Sequence, residues 1–145
     1  MPHVKSSEKS VFRKSSGSLL AVGVVLLTAA ILFLGGVSVK YDEKGLDVRA
    51  GFAYGTDISW DEIENVALLD AFDPGRRLYG YAGWRVSGGD FNNDDYGDYG
   101  FYAYTGVPLY IDVTAGGRHT VFNQATKQET KALFDEISDR ANGQK

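Results

Sequence analysis

The stretch Gly17 to Val39, GSLLAVGVVLLTAAILFLGGVSV, carries no charged residue and divides the chain into a short leading segment and a longer trailing one. Leu, Val, Ala and Ile fill most positions from Leu19 to Leu34, and the run keeps no polar face of the kind an amphipathic surface helix shows. A helix rises about 1.5 Å per residue, so about 20 such residues cover a hydrocarbon core of roughly 30 Å. The stretch therefore predicts one transmembrane helix over residues 17–36, with the lipid bilayer as its partner. Working outward, the expected organisation is a disordered basic tail at 1–16, a folded domain at 37–141 and a short tail at 142–145.

Charge orients that arrangement. Lys5, Lys9, Arg13 and Lys14 precede the apolar run, and Lys40, Lys44 and Arg49 follow it. The excess in front predicts a single-pass cell-membrane protein with its N-terminus in the cytoplasm and its domain outside. A basic start and an apolar middle also fit a signal peptide, but the middle is long and no A-x-A-like site follows it. Residues 40–145 hold eleven basic and eighteen acidic side chains, a balance unsuited to phosphate contacts, so nucleic acid is not an expected partner. The absence of cysteine excludes disulfides, thiolate metal sites and a cysteine nucleophile.

After Gly36 the apolar period changes from helical to alternating. Val37, Val39 and Tyr41 alternate with Ser38 and Lys40, Asp42-Glu43-Lys44-Gly45 forms a turn, and Leu46, Val48 and Ala50 resume the alternation. Gly51 to Gly55 reads as a break and Ile58 to Ile63 as a compact turn. Strands are expected at Glu64–Asp70 and Leu78–Val86, and a loop at Ser87–Gly97. Asp98–Tyr104, Leu109–Thr114 and Arg118–Asn123 read as a meander. Thr126-Lys127-Gln128-Glu129 has the form of a capping box, and Thr130, Leu133, Phe134, Ile137 and Ala141 fall on one helical stripe ending near Arg140.

Seven strand-like segments closed by one amphipathic helix resemble a pleckstrin-homology-like (PH-like) barrel. The stretch Ile58 to Ile63 leading into Val66, and the ending from Thr120-Val121-Phe122-Asn123 into a helix bearing Phe134 and Ile137, are similar to bacterial PH-domain families. The resemblance covers roughly Val37 to Arg140. It implies a mainly β fold of seven antiparallel strands, a barrel or two orthogonal sheets, capped by the C-terminal helix. It leaves function open among lipid, peptide and protein binding. The phosphoinositide-binding version places Lys and Arg in the first hairpin loop, which here is the net-negative Asp42-Glu43-Lys44-Gly45, so phosphoinositide is not an expected ligand.

Catalytic signals are sparse. His3 lies in the tail and His119 at a strand start, too few for a triad or a multi-histidine zinc site, and no nucleophile elbow or nucleotide-binding loop is present. No enzyme activity is expected. In the acidic loop 90–98, Asp90, Asn92, Asp94 and Asp98 match positions one, three, five and nine of a calcium-binding loop. The match is partial, because Asp95 stands where that loop needs Gly and Phe101 where it needs Glu, and a solvated hairpin loop accounts for the composition with no ligand. Tyrosines crowd one region, and Tyr79, Tyr81, Trp84, Tyr102 and Tyr104 make a candidate partner-binding patch, unless they fill the domain's interior. The expected function is a membrane-anchored, non-enzymatic PH-like module for protein or peptide contact or assembly at the bacterial membrane. The alternative is an exported surface domain binding calcium for adhesion or sensing.

Overall fold

The computed structural model describes residues 19–27 and 35–143. The chain divides between residues 34 and 35 into two units. In the first, residues 19–27 form a helix, α1. Among the described residues no helix is long and apolar enough to cross a membrane. That finding overturns the expected transmembrane helix over 17–36, and with it the bilayer partner, the single-pass membrane localisation and the anchored function. Residues 17, 18 and 28–34 of that stretch, the tail at 1–16 and residues 144–145 lie outside those described.

The second unit holds, among the described residues, nine strands and one long helix. β1 (Val37–Tyr41), β2 (Gly45–Ala50) and β3 (Tyr54–Ser59) form a three-stranded antiparallel sheet in that order. The first hairpin forms as its alternation predicts. Its turn is closed by Asp42, whose carboxylate accepts the N–H groups of Lys44 and Gly45 at 2.7 and 3.1 Å. Those two backbone donors hold the Asp42 carboxyl below its usual range.

A single 3-10 turn, Trp60–Glu62, carries the chain into the second sheet. There β4 (Ile63–Leu69), β5 (Arg76–Ala82), β6 (Val86–Asn93), β7 (Gly97–Tyr104), β8 (Tyr110–Ala115) and β9 (Arg118–Phe122) take the order β4-β8-β9-β7-β6-β5. Buried Trp60 joins the two sheets by donating its indole N–H to the Asp42 carbonyl at 2.8 Å.

Two separate sheets replace the expected seven-stranded PH-like barrel. They do not close on one another, and β7 and β9 run parallel. The expected meander is also corrected, because β9 lies between β7 and β8. Gly116 and Gly117, at φ 55 and 75, make a two-residue turn that lays β9 along β8. The Thr105–Leu109 connection then crosses the end of β9, where fully buried Asn123 holds it. Asn123 accepts from the Tyr104 N–H at 2.7 Å and donates to the carbonyls of Tyr104 and Val107 at 3.2 and 2.9 Å. A buried amide this well satisfied fixes a connection that apolar contacts alone would leave loose.

The inner face of the large sheet is covered by the small sheet and by α2 (Lys127–Gly143). Leu46, Val48, Trp60, Ile111, Val113, Phe122 and Ile137 are buried in the resulting core. The helix begins on its expected cap, with the Thr126 hydroxyl accepting the Glu129 N–H and donating to its carboxylate, both at 3.1 Å. Thr130, Ile137 and Ala141 are buried along the expected stripe, with Leu133 and Phe134 packed beside them. The opposite face of the sheet carries a second apolar cluster of Phe91, Tyr99, Phe101, Ala103, Tyr110 and Val121, over which Phe72 and Tyr96 pack.

The structure adds two strands where the sequence reads as a break and as a loop. β3 uses Tyr54 to Ser59 in regular register with β2. β6 runs through Ser87 to Asn93, and a Cβ built on its Gly88 would lie 2.5 Å from the Ala50 Cβ. Gly88 is there because the two sheets approach closely, and Gly89 because its φ of 139 and the adjacent β5 backbone leave no room for a side chain; both remove the β-branched residues by which a strand is recognised.

Candidate functional site

The predicted aromatic patch separates into two sets. Tyr102 is buried in the main core, and burial pushes its phenol up. Tyr104 packs against the same core, with its ring beside Gly36. Tyr102 does not belong to a surface, and half-buried Tyr104 reaches one in part, lining a groove with Trp84 and Arg85. Tyr79 and Trp84 lie on the surface, at 67% and 79% exposure, and half-buried Tyr81 lies between them on the chain.

Two residues absent from the predicted patch complete it. Tyr54, at the start of β3, places its ring 5.8 Å from those of Tyr79 and Tyr81. Phe52, in the β2–β3 turn, is 79% exposed. The Tyr81 ring reaches both hairpin turns, because Cβ atoms built on Gly51 and Gly83 would meet it at 3.6 and 3.2 Å. Burial raises the Tyr81 phenol, so it stays protonated and able to donate. The surface is thus a row of aromatics across adjoining ends of the two sheets, from Phe52 and Trp84 on turns to Tyr54, Tyr81 and Tyr79 on strands. The Trp84 turn is fastened by Thr105, whose hydroxyl donates to the Trp84 carbonyl at 2.6 Å. The sequence signal for Phe52 is a large apolar residue following a glycine in a turn, where nothing beneath it can cover it.

The residues proposed for calcium lie along the β6–β7 hairpin. Asp90 pairs with Arg118 at 2.6 Å. Asn92 donates to Asp98 across the ladder at 2.7 Å, and Asp94 occupies the exposed turn. These oxygens follow two paired strands where a calcium loop would wrap them around one point. Among the described residues no three His, Cys, Asp or Glu side chains gather as a metal site.

The second face of the large sheet holds the densest polar cluster. Asp112 of β8 is 3% exposed. His119 Nδ1 lies 3.0 and 2.9 Å from its two carboxylate oxygens, and the Tyr96 hydroxyl donates to Oδ2 at 2.9 Å. The Tyr96 ring stacks on the imidazole, and Thr114 Oγ1 stands 3.3 Å from Nδ1. Burial first, and then the bond to Asp112, pushes the Tyr96 phenol up to about 12. With Nδ1 held by a carboxylate the imidazole has a fixed orientation, an arrangement shared by structural and catalytic histidines. The sequence clue is Asp112 itself, an acid within the apolar run Leu109 to Val113.

Compared with known proteins, the chain matches no family model, no curated protein and no solved structure. The resemblance to bacterial PH-domain families is therefore corrected on two grounds: no family model matches, and the sheets do not form the barrel that resemblance implies.

Proposed function

We propose that the domain at 35–143 acts by binding another protein and not by catalysis, with the aromatic row of Phe52, Tyr54, Tyr79, Tyr81 and Trp84 as its contact surface. The observation that carries this reading is the 79% exposure of both Phe52 and Trp84 on hairpin turns that Tyr81 links. Large aromatics lose little conformational freedom when covered and dominate the centres of protein interfaces. Set on turns of paired strands, they are ordered before a partner arrives, which lowers the cost of association. The non-catalytic part of the reading is supported by how the His119–Asp112 pair is used. Both Asp112 oxygens and His119 Nδ1 join β8, β9 and the β6–β7 turn to one another.

The test is a photoactivatable phenylalanine analogue placed in the full chain at position 52, 84 or 139, the last being exposed Asp139 on α2. Positions 52 and 84 should yield the same discrete cross-linked protein, absent from position 139 and competed away by added purified chain. Trp84→Ala should weaken the cross-link from position 52. Equal labelling from all three positions would refute the assignment.

A further inference from the structure

β1 is an outer strand of the three-stranded sheet, and its hydrogen-bonding phase is fixed. The Gly51 N–H donates to the Gly36 carbonyl at 2.9 Å and the Asp42 N–H to the Gly45 carbonyl at 3.1 Å. Both pairs continue the β1–β2 register, so the residues bonded to β2 are Gly36, Ser38, Lys40 and Asp42. The N–H and C=O groups of Val39 and Tyr41 accordingly point away from β2, toward the edge of the sheet.

Outer strands are normally blunted against pairing. Those of the large sheet are: β4 carries an irregularity between Ile63 and Asn65, and β5 one between Arg77 and Tyr79 together with Gly80 at φ 103. β1 pairs regularly along all five of its residues. Beside it runs a groove of about 390 Å³ between β1 and α2, lined by Val39, Tyr41, Ala132 and Leu133 and rimmed by Glu129 and Glu136. Arg140 holds Tyr41 and Glu136 of that lining together, with its guanidinium 4.6 Å from the Tyr41 ring centre and 2.7 Å from Glu136.

From this geometry we infer that the β1–α2 groove receives an extended segment of another polypeptide, which adds to β1 as a fourth strand. The edge groups of Val39 and Tyr41 call for a main chain in β conformation, because only a strand presents donors and acceptors at their spacing. Leu133 and Ala132 face one side of such a strand and would take its alternate apolar residues. The rim selects basic residues at the other positions. Glu129 and Glu136 commit one carboxylate oxygen each to Thr126 and Arg140, and residues 40–145 carry eleven basic against eighteen acidic side chains. This site is separate from the aromatic row and has different chemistry.

The experiment uses the full chain and fluorescein-labelled octapeptides of alternating Lys and Val, read by fluorescence anisotropy. One peptide is unmodified, one is N-methylated on alternate residues along one edge, one along the other edge, and one has Glu in place of Lys. The expected result is saturable binding of the Lys-Val peptide, lost on methylating one edge only, and at least about tenfold weaker for the Glu-Val peptide. Val39→Pro removes an outward N–H without breaking a bond to β2, so it should weaken binding while leaving the fold intact. Trp84→Ala should bind as the unaltered chain does. Failure of the Lys-Val peptide to bind at about 1 mM, equal tolerance of methylation on both edges, or loss of binding in Trp84→Ala would each overturn the assignment.

Discussion

The ring of Tyr96 lies flat on the imidazole of His119, with centroids 3.8 Å apart and planes within 7°. The two residues come from different hairpins, the β6–β7 turn and the start of β9, and both bond the same buried carboxylate, Asp112. The contact ties the tip of one hairpin to its neighbour close to that neighbour's own turn. It also closes one end of the second apolar cluster, where Tyr96 and Phe72 pack over Tyr99.

Asp112→Ala should destabilise the domain by about 1–3 kcal/mol, since it strands the Tyr96 hydroxyl and the His119 ring N–H beside an apolar cluster. Removing Tyr96 as well should cost less than the sum of the two single changes, because the partners share one carboxylate. Urea denaturation of the single and double variants measures the coupling. Strict additivity would mean that the three groups do not act together.

Alkaline titration tests the same contact. An unfolded tyrosine loses its proton near pH 10, whereas Tyr96 holds it to about 12, because burial and then Asp112 disfavour the phenolate. A raised folded value means that stability is intact below pH 10 and falls as the pH rises from 10 toward 12. Burial shifts Tyr99 in the same direction. Stability measured against pH should therefore drop across that window, and Tyr96→Phe should make the drop shallower. Tyrosinate absorbance should show some phenols titrating only as the protein unfolds.

The close approach of the two sheets gives a packing prediction. A Cβ at Gly88 would stand 2.5 Å from the Ala50 Cβ, and both positions lie on regular strands. Gly88→Ala should cost about 1–3 kcal/mol through overpacking. Adding Ala50→Gly should recover part of that loss, less roughly 0.5–1 kcal/mol for a second strand glycine. Thermal unfolding of the two single variants and the double checks the pairing, and no rescue would place the strain elsewhere.

How much of this was legible in the chain depended on whether an element showed one covered face or two. The first hairpin, the Thr126 cap and the α2 stripe each bury one side, so their periods stand out. β7 packs apolar side chains on both faces, with Tyr102 in one core and Tyr99 and Phe101 in the other. Alternation there could not say which tyrosines reach solvent: Tyr102 is buried, while Tyr104 is half-buried beside Trp84. β6 was hidden for another reason: Gly88 answers to Ala50 of the opposite sheet and Gly89 to the β5 backbone, demands with no local signature. Within the aromatic row Tyr79, Tyr81 and Trp84 were readable, while Tyr54 lay in a strand taken for a break.

The two tryptophans offer a readout that separates surface from core. Trp60 is 5% exposed and bonds the Asp42 carbonyl, whereas Trp84 is 79% exposed on its turn. Trp84→Phe should change unfolding free energy by less than about 0.5 kcal/mol, as surface replacements do. It should leave emission from Trp60 alone, blue-shifted and protected from acrylamide. Trp60→Phe should cost about 1–3 kcal/mol, because a smaller ring leaves space at the junction of the sheets and the carbonyl loses its donor. Its remaining emission should be red-shifted and readily quenched. If the Trp84→Phe protein were quenched as readily as the Trp60→Phe protein, Trp60 would not be the buried junction between the sheets, and the packing of one sheet on the other would need revision.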